Sequence, residues 1–337
     1  MNDVPNEVLE RHDVLVTTDS PFQRRARLLQ ALWREERGLP IGERRPGVPL
    51  GSRLPKAFAK ESGANLMTPA ALAAARREVD AMRAGSGQKI DEDRLWANLL
   101  SSQPLAFSLF ADLGTDLGLA SRVFKRLWPE RIAKVTTIGF EYSPGRGSPK
   151  YTADRTAFDV YVEHTTPRGG RGFIGIEVKY HEALTDAPAE QRPRYDELTR
   201  AMGCFKPDLV AGLRRKPVEQ IWRDHMLAGS MLLATTDWES GLYVFLYPED
   251  NEPCRAAAQL YREYLSDARA FDAVTLETVV AAIARETTAP WIEEVRRRYL
   301  GWAKLTDHAT ISRWCPPQGD DRDSSDRRVL AKPTISG

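Results

Sequence analysis

The chain has 337 residues, 42% hydrophobic and 28% charged, with a formal net charge of +1. That length buries a sizeable core without disulfide or metal staples, and near-neutrality excludes a global pull towards nucleic acid, so any such footprint must be local. No run approaches the roughly 18 apolar residues of a membrane span, and Cys204, Cys254 and Cys315, widely spaced and odd in number, argue against a disulfide framework or a cysteine zinc site.

The first residues, MNDVPNEVLERHD, lack the basic start and oily centre of an export signal, so a cytoplasmic location is expected. Ser20, Pro21 and Gln23 form a capping-box start, and Phe22, Ala26, Leu29 and Trp33 continue a helix over 20–37 that Gly38 and Pro40 stop. The segment IGERRPGVPLGSRLPK, rich in glycine, proline and arginine, suits a loop or arm rather than a packed element. Thr68 and Pro69 open a second helix that Gly85 ends. Residues 91–128 read as two helices punctuated by Pro104 and Gly114.

From Lys134 the period changes. VTTIGFEYS, AFDVYVEHT and GFIGIEVKYHE are three strand-like runs, and their order suggests a meander. A polar stretch precedes a helix over 218–234, and LYVFLYP (242–248) is continuously apolar, as in a buried sheet centre. Helices are expected over 253–303. The tail from Pro316 has too few apolar residues to offset its ordering entropy, so disorder is expected there.

Alternation in the third strand puts Ile174, Ile176, Val178 and Tyr180 on one face and Glu177, Lys179 and His181 on the other. In the strand before it, Phe158, Val160 and Val162 form the apolar face and Asp159, Tyr161 and Glu163 the polar one. A hairpin turn centred near 168 or 169 sets Asp159 opposite Glu177 or Lys179, with Cβ atoms of opposed residues about 4.5–5.5 Å apart. Two carboxylates and an ammonium group then share one patch. A divalent cation relieves the repulsion between such acids, and oxygen ligands with few other donors suit Mg²⁺. A metal-assisted site of this kind hydrolyses phosphodiesters. GxxxxGK[ST] and HExxH are both absent, which excludes a P-loop motor and this class of zinc hydrolase.

Asp159 followed by Glu177-x-Lys179 on the next strand, with helices before and helix 218–234 and strand 242–248 after, resembles the PD-(D/E)XK nuclease superfamily. The resemblance covers about residues 95–250, and SSQPLAFSLF, SPGRG and FIGIEVKYHE are similar to a bacterial restriction-endonuclease-like family. It implies an α/β fold with a restriction-endonuclease-like αβββαβ core, a mixed sheet flanked by helices, and additional N- and C-terminal helices. It also implies a Mg²⁺-dependent deoxyribonuclease, with Mn²⁺ as a substitute, acting as an endonuclease in restriction or defence on DNA, as a homodimer, away from membranes. Asp159, Glu177 and the Val178 carbonyl would bind the metal, and Lys179 would orient or activate water. Phe158 stands where the motif has proline. Asp112 and Asp116 are the candidates for the acid that many members carry on the preceding helix. A non-catalytic nucleic-acid-binding or assembly module on the same scaffold is the alternative.

Supporting roles are conceivable for Glu163, His181 and Gln220, with Arg223, Asp224 and His225 close to Gln220 in sequence. Arg146, Lys150 and Arg155 suit phosphate contacts from a flexible loop, and Arg24, Arg25, Arg27, Arg34, Arg37, Arg44, Arg45 and Arg53 suit a phosphate-tracking arm. The expected organisation is an N-terminal helical extension with an arginine-rich arm (1–90), the nuclease core (91–250), C-terminal helices packed on it (251–315) and the disordered tail (316–337).

Overall fold

The computed structural model of the chain describes residues 4–185 and 188–305. It begins with α1 (Asn6–Arg11) and α2 (Pro21–Glu36). The α2 start is built as its sequence signals: Ser20 Oγ accepts from Gln23 N, and the Gln23 side chain accepts from Ser20 N. The segment expected as an arm is folded instead. β1 (Gly42–Arg45) and β2 (Val48–Leu50) form an antiparallel hairpin, with Gly47 supplying the positive φ of 75° that its turn requires. The arginines around it are mostly structural: Arg27 pairs with Asp19 at 2.6 Å, Arg53 with Asp93 at 2.6 Å, and Arg34 donates to Gly51 O at 2.8 Å.

Next come α3 (Lys56–Ser62), α4 (Pro69–Arg83), α5 (Glu92–Ala97), α6 (Ser102–Thr115) and α7 (Leu117–Leu127). The two helices expected over 91–128 are thus three. Pro104 lies in the first turn of α6, where its missing N–H has no intrahelical acceptor to lose. The later break falls at Asp116, whose carboxylate caps α7 by accepting from Leu119 N at 2.8 Å, not at Gly114.

The sheet follows: β3 (Lys134–Tyr142), β4 (Phe158–Thr165) and β5 (Arg171–Val178), then α8 (Pro193–Met202), α9 (Glu219–Ala234), β6 (Trp238–Tyr247), α10 (Glu252–Glu263), β7 (Phe271–Thr275), α11 (Leu276–Glu286) and α12 (Pro290–Tyr299). The strand order is β3-β4-β5-β6-β7, antiparallel through the meander and parallel from β5 onwards. This is the mixed sheet and αβββαβ succession expected from sequence. Two elements were not. α8 lies within the stretch read only as polar, and β7 interrupts the region read as all helix because its five residues gain their identity from pairing with β6.

Each sheet face carries its own core. Val160, Val162, Ile174, Ile176, Val178, Leu242, Val244 and Leu246 pack with α4, α6, α7, α11 and α12. Tyr161, Phe173, Tyr243, Phe245 and Tyr247 pack with α8, α9 and α10. Phe158 departs from the expected alternation and joins this second core, because Gly175 leaves room for its ring. A Cβ at Gly175 would sit 2.4 Å from that ring. Gly175→Ala is therefore expected to cost about 1–3 kcal/mol, the range for overpacking a tight core, read as a lower urea midpoint at unchanged m-value.

Candidate active site

The β4–β5 register pairs Val160 with Ile176 and Val162 with Ile174, which sets Asp159 opposite Glu177, one of the two alignments the hairpin allowed. Backbone and side chain interlock there: Asp159 Oδ2 accepts from Val178 N at 2.8 Å. Lys179 lies one residue past β5, but its N–H still donates to Leu246 O at 2.7 Å, so parallel pairing with β6 fixes it. Its ammonium reaches back to Glu177 Oε1 at 2.6 Å, and Gln220 Nε2, from the first turn of α9, donates to the same oxygen at 2.8 Å. Two donors on one oxygen fix the Glu177 carboxylate. Among the described residues, Glu177 Oε2 and Asp159 Oδ1 accept no hydrogen bond from protein.

These groups line a cleft of about 460 Å³ between the N-terminal layer and α9. Three acids in it escaped the sequence reading or its site assignments. Glu141, near the end of β3, holds a positive φ of 48°, unusual for a residue with a long side chain. Burial pushes its carboxyl up to about 7, with Glu177 adding to the shift against the opposing charge of Arg146. That range suits proton exchange near neutrality. Asp224, one turn beyond Gln220 on α9, is buried, and its carboxyl is held well above the usual range by burial and then by Glu177. Glu182 behaves oppositely. Burial alone would raise it, but His181, Lys179, the Tyr180 N–H and Arg94 together hold it at about 2.

Asp159 is likewise raised well above the ordinary value by burial, then by Glu177 and Glu141. Burial disfavours the Lys179 ammonium, but Glu177, Glu182 and Asp159 outweigh it and raise its pKa, so it stays charged. The centre is thus a strained set of acids around one buried cation, a charge arrangement that a further positive ion would relieve.

Arg146 and Arg155 line the cleft, whereas Lys150 does not; its ammonium lies over the Tyr151 ring at 5.7 Å. Glu163 is four residues from Asp159, about 13 Å along the strand, and pairs with Arg171 at 2.8 Å outside the cleft. His181 lies beyond the end of β5 and lines an adjoining chamber, which shares Lys179 with the cleft. Asp112 lies about 14 Å along α6 from Gln103, the cleft-lining residue near that helix's start; it accepts from Thr68 Oγ1 at 2.6 Å, while Asp116 caps α7. Neither lines the cleft.

His225 points away from the site into the second core, its Nδ1 2.8 Å from Tyr261 Oη. Burial lowers its pKa to about 3. With an unfolded value near 6.5, the neutral ring contributes stability that is complete above that pH and lost as pH falls towards 3, on the order of 4 kcal/mol over the window. His225→Gln is expected to flatten the dependence of unfolding free energy on pH between these limits, measured by urea titration at stepped pH.

Among the described residues, no three His, Cys, Asp or Glu side chains cluster as a ready metal cage. Magnesium is usually held by one or two carboxylates together with waters and substrate phosphate, and Asp159 and Glu177, each with an oxygen free of protein donors, meet that requirement. A family model described as PD-(D/E)XK nuclease superfamily matches residues 17–301. No curated protein and no solved structure matches the chain.

Proposed function

Since the chain belongs to the PD-(D/E)XK nuclease superfamily, we propose that it is a metal-dependent nuclease hydrolysing DNA phosphodiester bonds through Asp159, Glu177 and Lys179. The observation that carries this reading is the joint fixing of all three: Asp159 by Val178 N, Glu177 by Lys179 and Gln220, Lys179 by Leu246 O. Asp159, Glu177 and the Val178 carbonyl would hold a Mg²⁺ ion, with Mn²⁺ as a substitute. Bound there, the ion would supply positive charge to a phosphoryl oxygen and make water more acidic.

The protein's own groups do the rest. Lys179, whose ammonium form its carboxylate neighbours favour, donates to the phosphoryl oxygen as negative charge grows on it and orients or activates the attacking water. Gln220 holds the Glu177 carboxylate in place, and Arg146 and Arg155 at the cleft wall offer contacts to flanking phosphates. Endonucleolytic cutting in restriction or defence is proposed on the sequence resemblance.

The test is incubation of the full chain with supercoiled plasmid, circular single-stranded DNA, linear DNA and RNA, with Mg²⁺, with Mn²⁺ and with EDTA. Metal-dependent cutting of a circular DNA is expected. No cutting of any DNA with either metal would refute the reading.

A further inference from the structure

The cleft does not end at Lys179. A second chamber of about 530 Å³ adjoins it, and the two share Arg94, Lys179, Glu182, Gln220 and Arg223. Their chemistry differs. Asp159, Glu177, Glu141 and Asp224 line only the first. The second is lined instead by Gln23 and Asn98 from the N-terminal layer, by His181 beyond β5, and by Lys216 just ahead of α9. Counting charged side chains on its wall, Arg94, Lys179, Lys216 and Arg223 oppose Glu182 and Glu219, an excess of two positive charges with histidine neutral.

Two polar atoms on this wall lack hydrogen-bond partners. His181 Nδ1 and Arg223 Nε are buried, and the nearest carboxylates stand off at 3.8 Å (Glu182) and 3.4 Å (Glu219). A buried polar atom left unpaired costs free energy and calls for an explanation. An anionic ligand in the chamber supplies one, since its oxygens can accept from the guanidinium and from an imidazole N–H while meeting the positive excess.

We propose that this chamber is a phosphate-binding subsite for the nucleotide next to the reacting one, so that the protein acts on a single DNA strand threaded between the N-terminal helices and α9. The inference rests on the nuclease reading and adds the substrate's form to it. Gln23, Arg94 and Asn98 from the N-terminal layer and Glu219, Gln220 and Arg223 from α9 line the second chamber, and Lys179, only 7% exposed, lies at the bottom of both. Duplex DNA is stiff over about 150 base pairs and meets such a site only at its rim, whereas an unpaired strand can follow the floor. With phosphate contacts as the main source of affinity, binding should be strongly salt-dependent.

The test uses the full chain and three end-labelled DNAs of one sequence: a single strand, a blunt duplex, and a duplex with an unpaired tail. Binding is followed by fluorescence anisotropy in Ca²⁺ at several salt concentrations, and cleavage in Mg²⁺. Single-stranded and tailed DNA should bind at least about tenfold more tightly than blunt duplex, and Lys216→Glu, at an exposed position, should weaken strand binding about tenfold and lower the salt slope by about one. Equal binding and cutting of blunt duplex and single strand, or an unaltered Lys216→Glu variant, would overturn the subsite. Bis(4-nitrophenyl) phosphate, too small to span both chambers, reports the hydrolytic chemistry of the unmodified protein separately. Its hydrolysis without a strand preference removes the subsite alone. Lys216-dependent strand binding with no hydrolysis of any substrate supports the subsite and removes the nuclease reading.

Discussion

Lys179→Ala should lower the cleavage rate by about 10²–10⁴-fold, the loss that follows removal of one positioned electrostatic or proton-transfer group, with little change in overall fold. The side chain is buried, donates a hydrogen bond to Glu177, and faces the carboxylates of Glu182 and Asp159 as well. Its removal leaves Glu177 with Gln220 as its remaining side-chain donor among the described residues and takes a compensating charge from beside Asp159. The vacated site should therefore attract a divalent cation more strongly while cutting less. Ca²⁺ affinity by calorimetry and kcat on a labelled oligonucleotide would separate the two effects. A variant that binds Ca²⁺ no better and cuts at close to the normal rate would leave Lys179 with no part in the chemistry. Asp159→Asn should lose activity to a similar degree but weaken cation binding, since it removes an anionic oxygen instead of a competing cation.

The largest stability loss should come from Arg298, far from the cleft. In EEVRRRYL its neighbours Arg296 and Arg297 make ion pairs at the surface, but Arg298 is 0% exposed. Its guanidinium donates to Gln30 Oε1 at 3.0 Å, Asn65 O at 2.7 Å and Asn65 Oδ1, and it lies between Trp33, 4.1 Å from its ring centroid, and Tyr299 at 4.7 Å. Burial lowers its pKa, and no carboxylate compensates it among these partners. Arg298→Ala leaves Gln30 and Asn65 with unpaired buried oxygens and opens a cavity, so a loss of about 3–5 kcal/mol is expected in urea unfolding. Arg298→Lys should recover little of it, because an ammonium cannot reproduce the planar fork or the double ring contact. A lysine variant as stable as the parent would mean that charge alone matters there.

The parts of this molecule that could be read from sequence are those fixed by local periodicity. Ser20-Pro21-Phe22-Gln23 carries its own start signal. Period-2 alternation in β4 and β5 leaves Asp159 opposite Glu177 or Lys179, between which the register chooses Glu177, and the continuous apolar run of β6 marks a strand covered on both faces. What alternation could not supply is contact between distant elements. Asp224 was just another polar residue on an amphipathic helix, because its position beneath Glu177 depends on how α9 packs against β5 and β6. Glu141 lies in a strand whose end adopts a left-handed backbone conformation that glutamate seldom takes, so no propensity signals it. His181 lies beyond Val178, where the strand ends, so alternation alone could not say which chamber it lines. β7 and the β1–β2 hairpin are too short to announce themselves, and each exists through its pairing partner.

Gln30 ties together segments that lie far apart in the chain. From α2 it meets Tyr180 Oη at 3.2 Å, 150 residues ahead, and Arg298 O at 2.9 Å, 268 residues ahead. Contacts between such remote segments form late, since loop closure must come first. α2 is therefore fully seated only after α12, more than 250 residues further along the chain, has been made and has docked. Gln23, which donates to His181 O at 3.1 Å, belongs to α2 as well. This wall of the cleft is therefore completed only once those remote segments have met.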